Sequence, residues 1–167
     1  MKIEIRNFKP HMGLSEETVA FTGTLYLDGR KSGQVSNRGT GGPNDFSDRQ
    51  AEQKVAEWCK DQPPYSDEDG ELDLNADFKI SLIVGDMLQE RDEKKALANH
   101  ARKLRKRLTH PEHFVSHPAI VVALGNERII GCFLKAGEKA EDKVAEYAAK
   151  GFTTAKVYNS TTGKEVK

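Results

Sequence analysis

Between Ala76 and Leu108, apolar residues recur at spacings of three and four. Ile80, Val84, Met87 and Leu88 form one set and Leu97, Ala101, Leu104 and Leu108 another, with the charged run QERDEKK between them. This periodicity predicts one helix of unusual length, roughly 50 Å at 1.5 Å per residue. A small domain is narrower than that, so the helix must project, pair with another chain or break near Gly85 or Arg91. Pro111 ends the pattern. Two apolar stretches on one helix also predict self-association, most simply a two-fold homodimer.

Upstream, KIEIRNF alternates like a strand, and TVAFTGTLYLDGRKSGQVSN reads as two strands joined at Asp28-Gly29, residues that both tolerate positive φ. Ser47 is placed to cap a helix in which Ala51, Val55, Trp58 and Cys59 share a face. From Asp61 to Asp77 there are seven acids and no base, broken by Pro63-Pro64 and loosened at Gly70, the composition of an exposed linker. Downstream come AIVVAL, a turn at Gly125-Asn126, RIIGCFL, the helix EKAEDKVAEYAAK stopped by Gly151, and TTAKVYN. The last residues, STTGKEVK, read as a fraying end. The expected class is α+β, in three parts. Residues 1–75 form an antiparallel β-meander with a helix and the acidic linker, residues 76–110 a long central helix, and residues 111–167 a β-β-α-β unit.

Across 167 residues, 26 lysines and arginines balance 26 acids, so no overall field favours nucleic acid or membrane, and electrostatic features must be local. Cys59 and Cys132 each lie inside an apolar pattern, which predicts buried thiols in a reducing cytoplasm. The opening MKIEIRNFKP has no apolar signal-peptide core, and no apolar run approaches the roughly 20 residues of a membrane span, so no membrane association is expected.

The densest local charge runs from Arg91 to Arg107, with eight lysines and arginines. On a helix, Leu97, Ala101 and Leu104 face one way, while Lys94, Lys95, Arg102, Lys103, Arg105 and Lys106 form a candidate partner-binding surface for phosphates or an acidic protein. The competing reading is a solvated face balanced by the acidic segment. No aromatic residue is interleaved with the bases, which disfavours single-strand stacking. Ahead of the first helix, Arg38, Gly39, Gly41 and Gly42 form a candidate anion-binding corner, since glycines let backbone N–H groups converge beside a helix N-terminus. The corner lacks the lysine and hydroxyl of a phosphate loop and the spacing of a dinucleotide fold, so turn chemistry ranks first and anion binding second. HPEHFVSHP holds His110, His113 and His117, with His100 and Glu112 near, but its prolines predict a loop and its spacing matches no zinc pattern. No metal, cofactor or catalytic residue is assigned.

MKIEIRNFKP, FTGTLYLDGRKSGQVSNRGTGGPNDF and WCKDQPP together resemble a group of small uncharacterised proteins encoded by tailed bacteriophages and prophages. The resemblance covers roughly the first 65 residues and the start of the long helix. It implies a setting, a phage accessory protein in the host cytoplasm, and carries over no functional residue. The expected function is non-enzymatic binding of a host macromolecule, such as a host defence protein that it would inhibit. The alternatives are nucleic-acid binding through the basic helix and nucleotide binding at the glycine corner.

Overall fold

The structure, a computed structural model, describes residues 1–68, 70–108, 111–125 and 128–166. The chain is α+β and divides into two compact units, Met1–Leu88 and Gln89–Lys167. The division falls where the charged run begins, inside the long helix rather than at its ends. That helix, α2, spans Ala76–Arg105 without a break at Gly85 or Arg91. Its two apolar stretches serve different cores: Ala76, Ile80 and Val84 are buried in the first unit, and Leu97, Ala101 and Leu104 in the second. The buried members of both stretches are thus covered by the chain's own cores, while Met87, Leu88 and Leu108 are half-buried.

The first unit is a meander of β1 (Ile3–Pro10), β2 (Phe21–Leu27), β3 (Arg30–Asn37) and β4 (Asp45–Phe46), antiparallel and in that order. Asp28 and Gly29 have φ of 49° and 78°, and Leu27 pairs with Arg30 across them, the geometry of a tight two-residue hairpin. The period of two puts Phe21, Leu25 and Leu27 of β2 into the core and Thr22, Thr24 and Tyr26 on the opposite face. Ala51, Val55 and Cys59 of α1 (Arg49–Lys60) meet the buried face of the sheet together with Ala76, Ile80 and Val84. Burying a side chain such as Leu25 or Ile80 stabilises the unit by about 1.5–3 kcal/mol.

The helix cap differs from the sequence reading. Asp48, not Ser47, is the N-cap of α1, accepting from Gln50 N at 2.8 Å and Ala51 N at 3.3 Å. Ser47 is instead drawn onto β3, where its Oγ accepts from Gln34 N at 2.7 Å and its N–H donates to Gln34 O at 3.0 Å. Asp48→Ala is therefore expected to cost about 1 kcal/mol, read as a lower urea midpoint with an unchanged slope. The acidic segment is also more ordered than a linker. Tyr65–Asp67 (β5) and Gly70–Leu72 (β6) form an exposed hairpin, and Tyr65 stacks edge-on against Phe78 at 5.4 Å.

The second unit is a three-stranded antiparallel sheet of order β8-β7-β9, formed by β7 (Ala119–Leu124), β8 (Ile129–Leu134) and β9 (Thr154–Asn159). Central β7 is buried on both sides, which is why AIVVAL is continuously apolar: Ile120 and Val122 face α2, while Val121 and Ala123 face α4 (Ala140–Ala149). Gly151 ends α4 as its spacing predicts. Gly151 N donates to Ala148 O at 3.0 Å and Phe152 N to Tyr147 O at 3.1 Å, and the Tyr147 and Phe152 rings lie 5.7 Å apart, the bonds and apolar contact of a Schellman cap.

Two expectations in this unit are corrected. Pro111 opens a short helix, α3 (Pro111–Ser116), where a loop was read, because proline lacks only an N–H that a first helical turn leaves unused. Residues 160–166 are bonded where a frayed end was read, and Lys167 lies outside the described residues. Val166 N donates to Val157 O and Asn159 N donates to Lys164 O, so residues 160–166 fold back along β9. His110 and Asn126, which entered the sequence reading, lie outside the described residues.

Candidate functional site

The basic helix face takes shape from the way α2 packs. Leu97, Ala101 and Leu104 are held on the sheet of the second unit, so the opposite side of the helix is turned to solvent. At about 100° per residue, Arg91, Lys95 and Arg102 fall within roughly 40° of one another on that opposite side, and Lys106, one residue past the end of α2, continues the row because its N–H still bonds Arg102 O at 3.3 Å, giving roughly 22 Å in all. All four are exposed, and Lys103 is exposed on their flank. Among the described residues Arg91, Lys95, Lys103 and Lys106 form no ion pair, and Arg102 Nη2 donates to the neutral Asn99 Oδ1 at 3.0 Å. Ala98 and Asn99 lie between them, so the stripe carries charge without an apolar anchor.

Two of the sequence candidates are committed elsewhere. Lys94 pairs with Glu90 at 2.6 Å; this hydrogen bond raises the ammonium above its usual range and lowers the carboxylate below its own. Arg105 is turned inward, its Nε donating to Ser160 O at 2.7 Å and its Nη2 to Thr161 O, with the guanidinium over the Phe114 ring. It ties down the turn that the sequence reads as frayed. Because a bond from a charged donor is worth about 2 kcal/mol, Arg105→Gln is expected to lower stability by that amount. Amide exchange should then accelerate across residues 159–166. His100 adds no charge to the stripe near neutral pH, since burial first, then Lys103 and Arg107, lower its pKa.

The glycine corner uses its donors internally. Gly39 N donates to Asn37 Oδ1 at 2.8 Å and Gly41 N to Thr18 Oγ1 at 3.3 Å, while Gly39 O accepts from Glu16, Glu17 and Thr18 N–H groups. The Asp48 carboxylate already occupies the first N–H groups of α1. Arg38 points outward to Asp45 at 3.7 Å, with both side chains well exposed. The Glu17 carboxylate rests against the Gly41 Cα, in the place where a side chain there would sit. Gly42 has open space above it, and its carbonyl accepts from Asn37 Nδ2 at 3.0 Å. This corner docks one loop on another, with the Gly39 and Gly41 N–H groups bonded inside it and the Glu17 and Asp45 carboxylates beside it.

Among the described residues no group of His, Cys, Asp and Glu is placed to hold a metal ion. Both thiols are free; Cys59 is buried, which pushes its pKa up and away from nucleophilic use, and Cys132 is half-buried on β8. His117 Nδ1 lies 3.0 Å from Ser116 Oγ, a contact between chain neighbours at the end of α3. No helix among the described residues is long and apolar enough to cross a membrane. In comparisons with known proteins, no family model, no curated protein and no solved structure matches this chain.

Proposed function

We propose that the protein acts by binding rather than catalysis, and that the stripe Arg91, Lys95, Arg102, Lys103 and Lys106 engages the phosphate backbone of a nucleic acid. One observation carries this reading: these five side chains are exposed and without an acidic partner among the described residues, on a helix fixed to its sheet by Leu97, Ala101 and Leu104. A protein partner is less well matched. Protein interfaces concentrate their energy in buried aromatic and apolar anchors, and the stripe has Ala98 and Asn99 in their place. Phosphates need only cations and polar donors. The setting of a phage accessory protein acting on a host macromolecule rests on the N-terminal resemblance, and a host nucleic acid is such a macromolecule. Nucleotide binding at the glycine corner is not proposed, because the Gly39 and Gly41 N–H groups are already bonded, Asp48 takes the first N–H groups of α1, and the Glu17 carboxylate rests against Gly41.

Fluorescence anisotropy with a labelled duplex of arbitrary sequence, set beside polyglutamate of equal charge, tests the proposal. Duplex binding in the range of about 10⁻⁴ to 10⁻⁶ M is expected at physiological salt. Equal or tighter binding of polyglutamate would transfer the stripe to an acidic protein partner.

A further inference from the structure

We propose that the first unit contains a binding site for a small organic cation, a primary ammonium or amidinium on an apolar body, with Asp77 as its counter-ion. A cleft of about 320 Å³ opens between the glycine corner and the first part of α2, within the size range of small-molecule sites. Val19, Phe21 and Val84 contribute its apolar surface, and Asp77, Ser81 and Gly85 line it from one face of the helix at spacings of four. Asp77 is the charged residue of this lining. Its Oδ1 is fixed by Asn44, which donates from its backbone N at 2.6 Å and from Nδ2 at 2.7 Å. Its Oδ2 has no hydrogen bond or ion pair among the described residues. The carboxylate is thus oriented through one oxygen, and the other has no partner among the described residues.

The other polar side chains of the lining are already matched to one another. Asn44 Nδ2 also donates to Ser81 Oγ at 3.0 Å, Ser81 Oγ donates to Asp77 O at 3.1 Å, and Asn37 Nδ2 donates to Asn44 Oδ1 at 3.2 Å. This network holds the wall rigid and leaves one full charge to be met. Its sign selects the ligand: with Asp77 in the cleft and Glu17 at its rim, an anion is repelled and a cation attracted. Gly85 supplies an independent observation. Glycine weakens a helix interior relative to alanine, yet a Cβ at residue 85 would meet no atom within 4 Å, so packing does not require glycine there. Its absent side chain keeps the helix wall of the cleft low.

The same cation on an apolar stem is offered by a free amine or by a lysine or arginine side chain of a peptide. Amide-resolved NMR titration with phenethylamine and benzamidine, against benzoate and benzyl alcohol, tests the site. The expected result is saturable shifts around residues 41–44 and 77–85 for both cations, with a Kd on the order of 1 mM, and none for benzoate. An acetylated Gly-Lys-Gly amide distinguishes the sources: tighter binding than phenethylamine supports a protein side chain, and weaker binding supports a free amine. Gly85→Leu, which fills the cleft, should weaken phenethylamine at least about tenfold while the spectrum stays folded, and Asp77→Asn should do the same by removing the charge. Benzoate binding as well as benzamidine, or unchanged amine binding by folded Gly85→Leu, would overturn the proposal. Absence of saturable amine shifts up to about 10 mM would do so too.

Discussion

Replacing Gly39 by alanine is expected to lower the unfolding free energy by about 3 kcal/mol. Gly39 has φ of 90°, and a Cβ there would fall onto the Leu14 carbonyl oxygen and within 2.9 Å of Ala20 Cβ. The Leu14 obstruction is backbone, which cannot swing aside. The Gly39 carbonyl gathers the Glu16, Glu17 and Thr18 N–H groups, so a shift at Gly39 loosens the loop docked on it. Gly41→Ala is expected to cost less, about 1–2 kcal/mol, because φ is again positive but the obstruction is the flexible end of Glu17. Urea denaturation followed by circular dichroism measures both. A Gly39 variant within about 0.5 kcal/mol of the parent would mean that the corner does not hold the fold.

Reversing two charges on the stripe, Arg102→Glu with Lys106→Glu, is expected to weaken duplex binding by more than about tenfold at 0.1 M salt. Stability should change by no more than about 0.5 kcal/mol. Both side chains are exposed, and the one bond lost is from Arg102 to Asn99 on the same helix turn. Arg105→Gln provides the contrast, since Arg105 holds Ser160 and Thr161 rather than facing the stripe. That variant should lose stability and keep its duplex affinity at temperatures where it is folded. Anisotropy and thermal melting on the same samples separate the outcomes.

Local rules made much of the fold legible. The Asp28-Gly29 turn, the Gly151 cap and the apolar stripes of α1 and α2 each follow from residues a few positions apart, and the structure contains them. What escaped depends on distant partners. Ser47 and Asp48 are both good helix caps, and the choice is made by Gln34 on a neighbouring strand, which takes Ser47. The tail STTGKEVK has the composition of a loose end, and only contacts with Arg105 and β9 hold its residues 160–166. For the same reason Arg105 looked like its basic neighbours. The partition of α2 between two units was hidden because both apolar stretches share one period, and only the sheets they meet distinguish them.

The candidate site was half legible. Helical spacing separates Lys95, Arg102 and Lys106 from the apolar face without any coordinates, and exposure agrees. The glycine corner suggested N–H groups free for an anion, but the acceptors of Gly39 and Gly41, Asn37 Oδ1 and Thr18 Oγ1, are side chains whose placement no local pattern predicts. The Asp77 cleft left no signal at all, since Asn44 and Asp77 stand 33 residues apart in the chain.

The most direct test of the central claim is the salt dependence of duplex binding, measured by anisotropy between about 50 and 200 mM salt. If Arg91, Lys95, Arg102, Lys103 and Lys106 each neutralise a phosphate, log K should fall against log salt with a slope of about −4 to −4.5. The Arg102→Glu, Lys106→Glu variant should be shallower by about two. A parent slope shallower than about −1, or the same slope in parent and variant, would contradict the account and return α2 to the role of a solvated helix.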